Sequence, residues 1–174
     1  MAWTPTYRIL TPWAIPSNLL TYITDATRQA DALTWAGGSS LKAIKTFSNS
    51  TASRAIPVYP AIAFSDDNAM QEYDDDLVTC GYQCLFEVSI QNAVADTAVT
   101  QARYYAAAIT SMIRDCPLAT LAANTRAIVD ATKVLVGEAG FKPIQAGNGG
   151  LATNDFLQAF DIRVTVSLIG SAFE

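Results

Sequence analysis

The sequence predicts an α+β fold: an antiparallel or mixed β-sheet with two main helices packed on one face. Three observations lead there. A long segment, residues 78–91, alternates apolar and polar with period two, the mark of a strand with one buried and one wet face. Two other segments carry apolar residues at helical spacing. The strands cluster instead of alternating regularly with helices, which sets aside a parallel doubly wound sheet.

Residues 1–16 hold Pro5, Pro12 and Pro16 among Trp3, Tyr7 and Trp13, and read as an extended arm, since proline cannot donate to a helix ladder. Its aromatics call for the parent core or a neighbouring subunit to pack on. Ser17 is a plausible cap for a helix over 18–34, in which Leu19, Leu20, Ile23, Ala26, Ala30 and Leu33 form one stripe and Gly37–Gly38 stop it. A short strand is expected at Leu41–Phe47. Residues 56–64 (IPVYPAIAF) read as an edge strand because of Pro57 and Pro60.

Residues 65–77 are expected to form an acidic loop. Then comes the strand at 78–91, with Val78, Cys80, Tyr82, Cys84, Phe86, Val88 and Ile90 on its apolar face. A second helix runs over 96–114, buried through Val99, Ala102, Tyr105 or Ala106, Ile109 and Met112 or Ile113, and Pro117 closes it. Residues 118–126 suit a short helical turn. Residues 127–136 fit helix or strand, and the β-branched Ile128, Val129, Val134 and Val136 favour strand. A Gly-rich connection over 137–155 leads to a last strand at 156–169, with Phe160, Ile162, Val164, Val166 and Leu168 facing one way. The 174 residues suit a single domain with one core.

Composition narrows the function. Charged residues make up only 16%. Either Ala, Ser, Thr, Gln and Asn cover the surface, or part of the surface is buried between subunits, where charge is depleted. The net charge of -5 argues against wrapping nucleic acid, which needs many cations, but allows a protein that DNA passes through. No histidine is present, which removes imidazole-dependent triads, the common zinc sites and the usual proton shuttle. Neither a signal peptide nor a run long enough to span a bilayer is evident. Cys80, Cys84 and Cys116, an odd set, suggest reduced thiols in a cytosolic setting. Along a strand Cys80 and Cys84 lie roughly 13 Å apart, too far for a disulfide, so buried apolar cysteines are the plain reading.

Asp66, Asp67, Glu72, Asp74, Asp75 and Asp76 put six carboxylates within eleven residues. The plain reading is a solvated loop, the sharper one a docking or DNA-repelling patch. A metal site comes last, because the spacing departs from the calcium-loop pattern. Gly147–Asn148–Gly149–Gly150 lacks the ending of a phosphate loop and reads as a flexible connection. Lys42, Lys45 and Arg54 are the one sizeable basic cluster. With Asp66, Asp67, Asp74, Asp75 and Asp76 they are the candidate inter-subunit or tube contacts, a pairing that salt would weaken. Catalytic, cofactor and metal residues are expected to be absent.

One stretch carries a family resemblance. VYPAIAF at 58–64 leads through the acidic segment into the strand at 78–91, a helix follows, and the chain closes on FDIRVTVSL. This order resembles the tail-terminator and neck proteins of tailed bacteriophages over roughly residues 17–170, through loose motifs and no catalytic signature. The resemblance implies a tail-terminator-like fold and a homo-oligomeric ring, a hexamer, that caps the tail tube and joins it to the head connector. It implies tail tube and neck proteins as partners, DNA passing through the lumen without specific binding, no membrane, and a place in the virion after assembly in the host cytoplasm. The helix at 18–34 is a candidate wall element. The alternatives are another neck or tail component, such as a head-closure or tube protein, and a small-ligand binding domain or enzyme working through carboxylates or a lysine.

Overall fold

The computed structural model describes residues 9–44, 46–48, 59–74, 76–127, 133–146 and 155–172. They form a mixed sheet with helices on one face, as the patterning predicts. The strands are β1 (Thr46–Ser48), β2 (Ala61–Asp74), β3 (Leu77–Asn92), β4 (Lys133–Val136), β5 (Gly140–Phe141), β6 (Gln145–Ala146) and β7 (Phe156–Ser171). The helices are α1 (Ala14–Ile23), α2 (Ala26–Trp35), α3 (Ala95–Arg114) and α4 (Leu118–Leu121). The sheet order is β1-β2-β3-β7-β4, with β5 and β6 also paired to β7. β1 runs parallel to β2 and every other pairing is antiparallel.

β3 and β7 are the spine, paired along their whole length from Leu77↔Ser171 to Asn92↔Phe156. The seven alternate residues of β3 named above are all buried, as are Phe160, Ile162, Val164, Val166 and Leu168 of β7. α3 lies over these two strands and buries Ala102, Tyr105, Ala106, Ile109, Met112 and Ile113 as its spacing predicts. Val99 is only half-buried, and Ala98 is the residue that reaches the core there. α2 packs on α3, and α1 on α3 and α4.

Several expectations are corrected. The helix over 18–34 is two helices. Asp25 leaves the helical region (φ -59°, ψ 118°) and its carboxylate accepts from Arg28 N at 2.7 Å. A short acceptor that caps a new helix competes with continuing the old one. The first helix also begins earlier, at Ala14, so Ser17 is interior and Pro16 is helical, not part of an extended arm. Proline is tolerated there because the first N–H groups of a helix have no partner in any case.

Leu41–Ile44 is not strand. Its backbone is taken by side chains: Ile44 N donates to Gln29 Oε1 at 2.7 Å, Gln29 Nε2 donates to Ile44 O, and Tyr105 Oη donates to Lys42 O at 2.6 Å. Of the described residues in this segment, Thr46–Ser48 pair with β2.

The acidic segment is not a loop. β2 continues through it to Asp74, paired with β3 to the end, with a register shift between Asp66 and Asn68 that leaves Asp67 as the extra residue of a bulge. From Asn68 to Asp74 both faces are largely exposed, so there is no alternation to betray the strand. The 137–155 connection likewise contains β5 and β6. The strand expected over 127–136 is present as β4, with 128–132 outside the described residues.

Candidate interaction surfaces

The described part of the arm is fastened at Leu10 and Thr11. Leu10 N donates to Gln71 Oε1, and Gln71 Nε2 donates back to Leu10 O at 3.0 Å. The Leu10 side chain is fully buried beside Val78 and Gly170. Thr11 adds bonds to the carbonyls of Thr125 and Asn124. Trp13, by contrast, is 60% exposed. The other arm aromatics, Trp3 and Tyr7, lie outside the described residues.

Of the predicted charged contacts, Lys42 lies at one end of the sheet and Asp74 and Asp76 at the other. Lys42 lines a cleft of about 280 Å³ with Tyr59, Pro60, Ile90, Asn92 and Tyr105, at the end where β2 begins. Asp74 and Asp76 are exposed at the other end, beside the turn into β3. The 14 residues of β2 put about 45 Å between those ends. Lys42 therefore cannot reach Asp74 or Asp76 within one chain. Asp66 lies midway, where it accepts a hydrogen bond from Tyr82 Oη. Burial first, and that bond second, push the Tyr82 phenol well above its usual range, so it stays a donor. Asp67 is in β2 with its side chain outside the described residues, as are Lys45, Arg54 and Asp75 altogether.

Two further clefts of about 330 Å³ sit on the surface. One is lined by Pro12, Trp13, Asp66, Asn68, Ala69 and Tyr82. The other, at the helix layer, includes Tyr22, Arg28, Asp31, Trp35, Met112 and Asp115. There the Arg28 guanidinium stacks 3.7 Å from the Tyr22 ring centre, a cation–π contact. Trp35 is 72% exposed.

On the face of the sheet away from the helices, Lys142 reaches two carboxylates, Glu87 and, at 3.1 Å, Asp161. Burial pulls this ammonium down, but the hydrogen bonds and charges of its partners outweigh it and the net shift is upward. The three cysteines are buried thiols, none of them in a disulfide. Burial raises Cys80 and pushes Cys116 up to about 11, which suppresses the reactive thiolate. Among the described residues no group of His, Cys, Asp and Glu is gathered as metal ligands, and no helix is long and apolar enough to cross a membrane.

No family model matches the chain, and no curated protein matches it. Among solved structures it is similar to a chain from the virion of a native gene transfer agent (GTA) particle, at 10% identity and a TM-score of 0.42, over 91% of this chain and 99% of that one. A likeness this loose carries no functional argument.

The sequence missed two features: the exposed Trp35, and the uncovered face of the sheet around Gly81. A glycine in the middle of the best strand was the available signal for the second.

Proposed function

We propose that the chain is a structural protein of a phage-like virion: a tail terminator that forms a ring on the end of the tail tube and joins it to the head connector. The observation that supports this is the separation of charge along the sheet, with Lys42 at one end and Asp74 and Asp76 about 45 Å away at the other. A closed ring with its strands along the axis sets Lys42 on one rim and Asp74 and Asp76 on the other, two unlike rims. An adaptor between two unlike partners needs two unlike mating surfaces, and charge complementarity selects which partner meets which rim. The net charge of -5 suits a lumen that DNA crosses without sticking. The role is non-catalytic, and the ring a hexamer as the sequence resemblance implies.

Electron microscopy of particles lacking this protein tests the assignment. Tails of uncontrolled length and unjoined heads are the expected outcome. Leaky, tailless heads beside normal tails would instead identify a head-closure protein and end the terminator reading.

A further inference from the structure

Among the described residues, the helices cover one face of the sheet only. On the other, register aligns Met70, Gly81 and Ser167 in one row, and Asn68, Gln83, Thr165 and Leu135 in the next row on that face. From β2 to β7 neither row carries a charge, and the first row ends on the edge strand β4 at Lys133, opposite Ser167. Met70 and Leu135 are 60% and 58% exposed. Charge enters at the margins, with Lys133 at the β4 edge, Glu72 beside Thr79 on one side and Arg163 beside Leu85 on the other. A charge-free centre inside a charged margin is how a protein interface is built.

Gly81 sharpens the point. Glycine inside a strand costs roughly 0.5–1 kcal/mol relative to alanine, so its presence needs a reason. Gly170, on the helix side, has one: a Cβ there would meet Leu10 Cδ2 at 2.8 Å. At Gly81 a Cβ would meet no described atom within 4 Å, and the backbone is not left-handed. Nothing within the described chain calls for glycine. A bare backbone on an open strand face serves the close approach of another molecule.

We propose that this face, centred on Gly81, seats the helix layer of a second copy of the chain, with Trp35 as the anchor. Trp35 has the highest exposure of the large apolar side chains described. It closes α2, which packs on α3, which packs on the sheet, so Trp35 and Gly81 look out from opposite sides of the molecule. A contact joining opposite sides repeats head to tail and generates a ring if the rotation closes. Tryptophan seated in a shallow pit is a common centre of such contacts. β2, β3 and β7 over about nine residues, with β4 alongside for its four, span roughly 15 Å by 30 Å. Before side-chain relief is added, that is more than half of the ~800 Å² that one partner gives to a stable interface. The choice of a second copy rests on the ring reading, whereas the open glycine does not.

The test uses the full chain in mass photometry, with Gly81→Glu, Trp35→Ser and the uncharged Gly81→Gln as variants. The native chain is expected to form oligomers. Each variant is expected to be monomeric with unchanged circular dichroism and Tm, because both positions face open space. An equal mixture of Gly81→Glu and Trp35→Ser is expected to give dimers, since one intact sheet face and one intact anchor remain between them. Gly81 variants that assemble like the native chain would overturn the proposal, and a mixture that stays monomeric would overturn the role of Trp35. A native chain that is monomeric up to about 100 µM overturns the second copy as occupant. Pelleting with tail tubes then separates the two readings: a monomer that still binds tubes leaves the terminator role standing, and one that does not removes both.

Discussion

Gly170 and Gly81 sit in neighbouring strands on opposite faces, and their substitution should part company. Alanine at 170 drives a methyl into Leu10 and toward Arg126 O, 3.3 Å away. Overpacking of this kind costs about 1–3 kcal/mol, or roughly 2–12 °C in Tm for a chain of this size. Alanine at 81 should leave Tm level or raise it slightly, and thermal unfolding of the two variants checks both. Lys142 gives a pH signature. Its folded pKa is raised above its unfolded value, so its contribution is full below the unfolded pKa and is lost as pH rises through the folded one. The Tm deficit of Lys142→Met should therefore be present at pH 7–9 and close at pH above the ordinary lysine value of about 10.4. A deficit independent of pH up to 12 would mean that the side chain matters only for packing. None of these roles was readable beforehand: a glycine is the same letter whether it makes room for Leu10 or for a partner, and Lys142 acquires its carboxylates only when β5 is laid along β7.

At the scale of elements, legibility followed periodicity. β3, β7 and α3 were readable because each has one face in the core and one in water, and that asymmetry is written in the order of residues. Residues 68–74 of β2 were not, because a strand exposed on both faces has no reason to alternate. Its carboxylates still have a structural use: from Phe64 onward β2 has no outer partner among the described residues, and charge on an edge discourages unwanted pairing. Replacing Asp67, Glu72 and Asp74 together by Thr, Val and Thr should leave the monomer folded and raise its tendency to aggregate, read by light scattering at a fixed concentration. The α1–α2 break was missed for a different reason. Asp25 lies on the solvated side of what looks like one amphipathic helix, and only its carboxylate bond to Arg28 N reveals a cap. Asp25→Ala should cost about 1 kcal/mol, seen as a Tm loss of ~2–4 °C.

For the whole molecule, the two kinds of proposed contact differ in their physics, and salt should separate them. The rims depend on charge: Lys42 at one end, Asp74 and Asp76 at the other. Charges on solvated surfaces are screened over about 10 Å at 0.1 M salt and about 3 Å at 1 M, so contacts between ring and tube should weaken steeply with salt. The lateral contact is centred on Gly81, Met70, Gln83 and Thr165, which carry no charge, and depends on burial instead. Raising salt from about 0.05 M to 0.5 M should therefore release rings from tubes while leaving the rings intact. Mass photometry of the soluble fraction, run beside a pelleting assay, reads both at once. Rings that fall apart over the same range would show that the charged ends hold copies to one another. The acidic and basic segments would then be the subunit interface itself, and the face around Gly81 would be left to the tube.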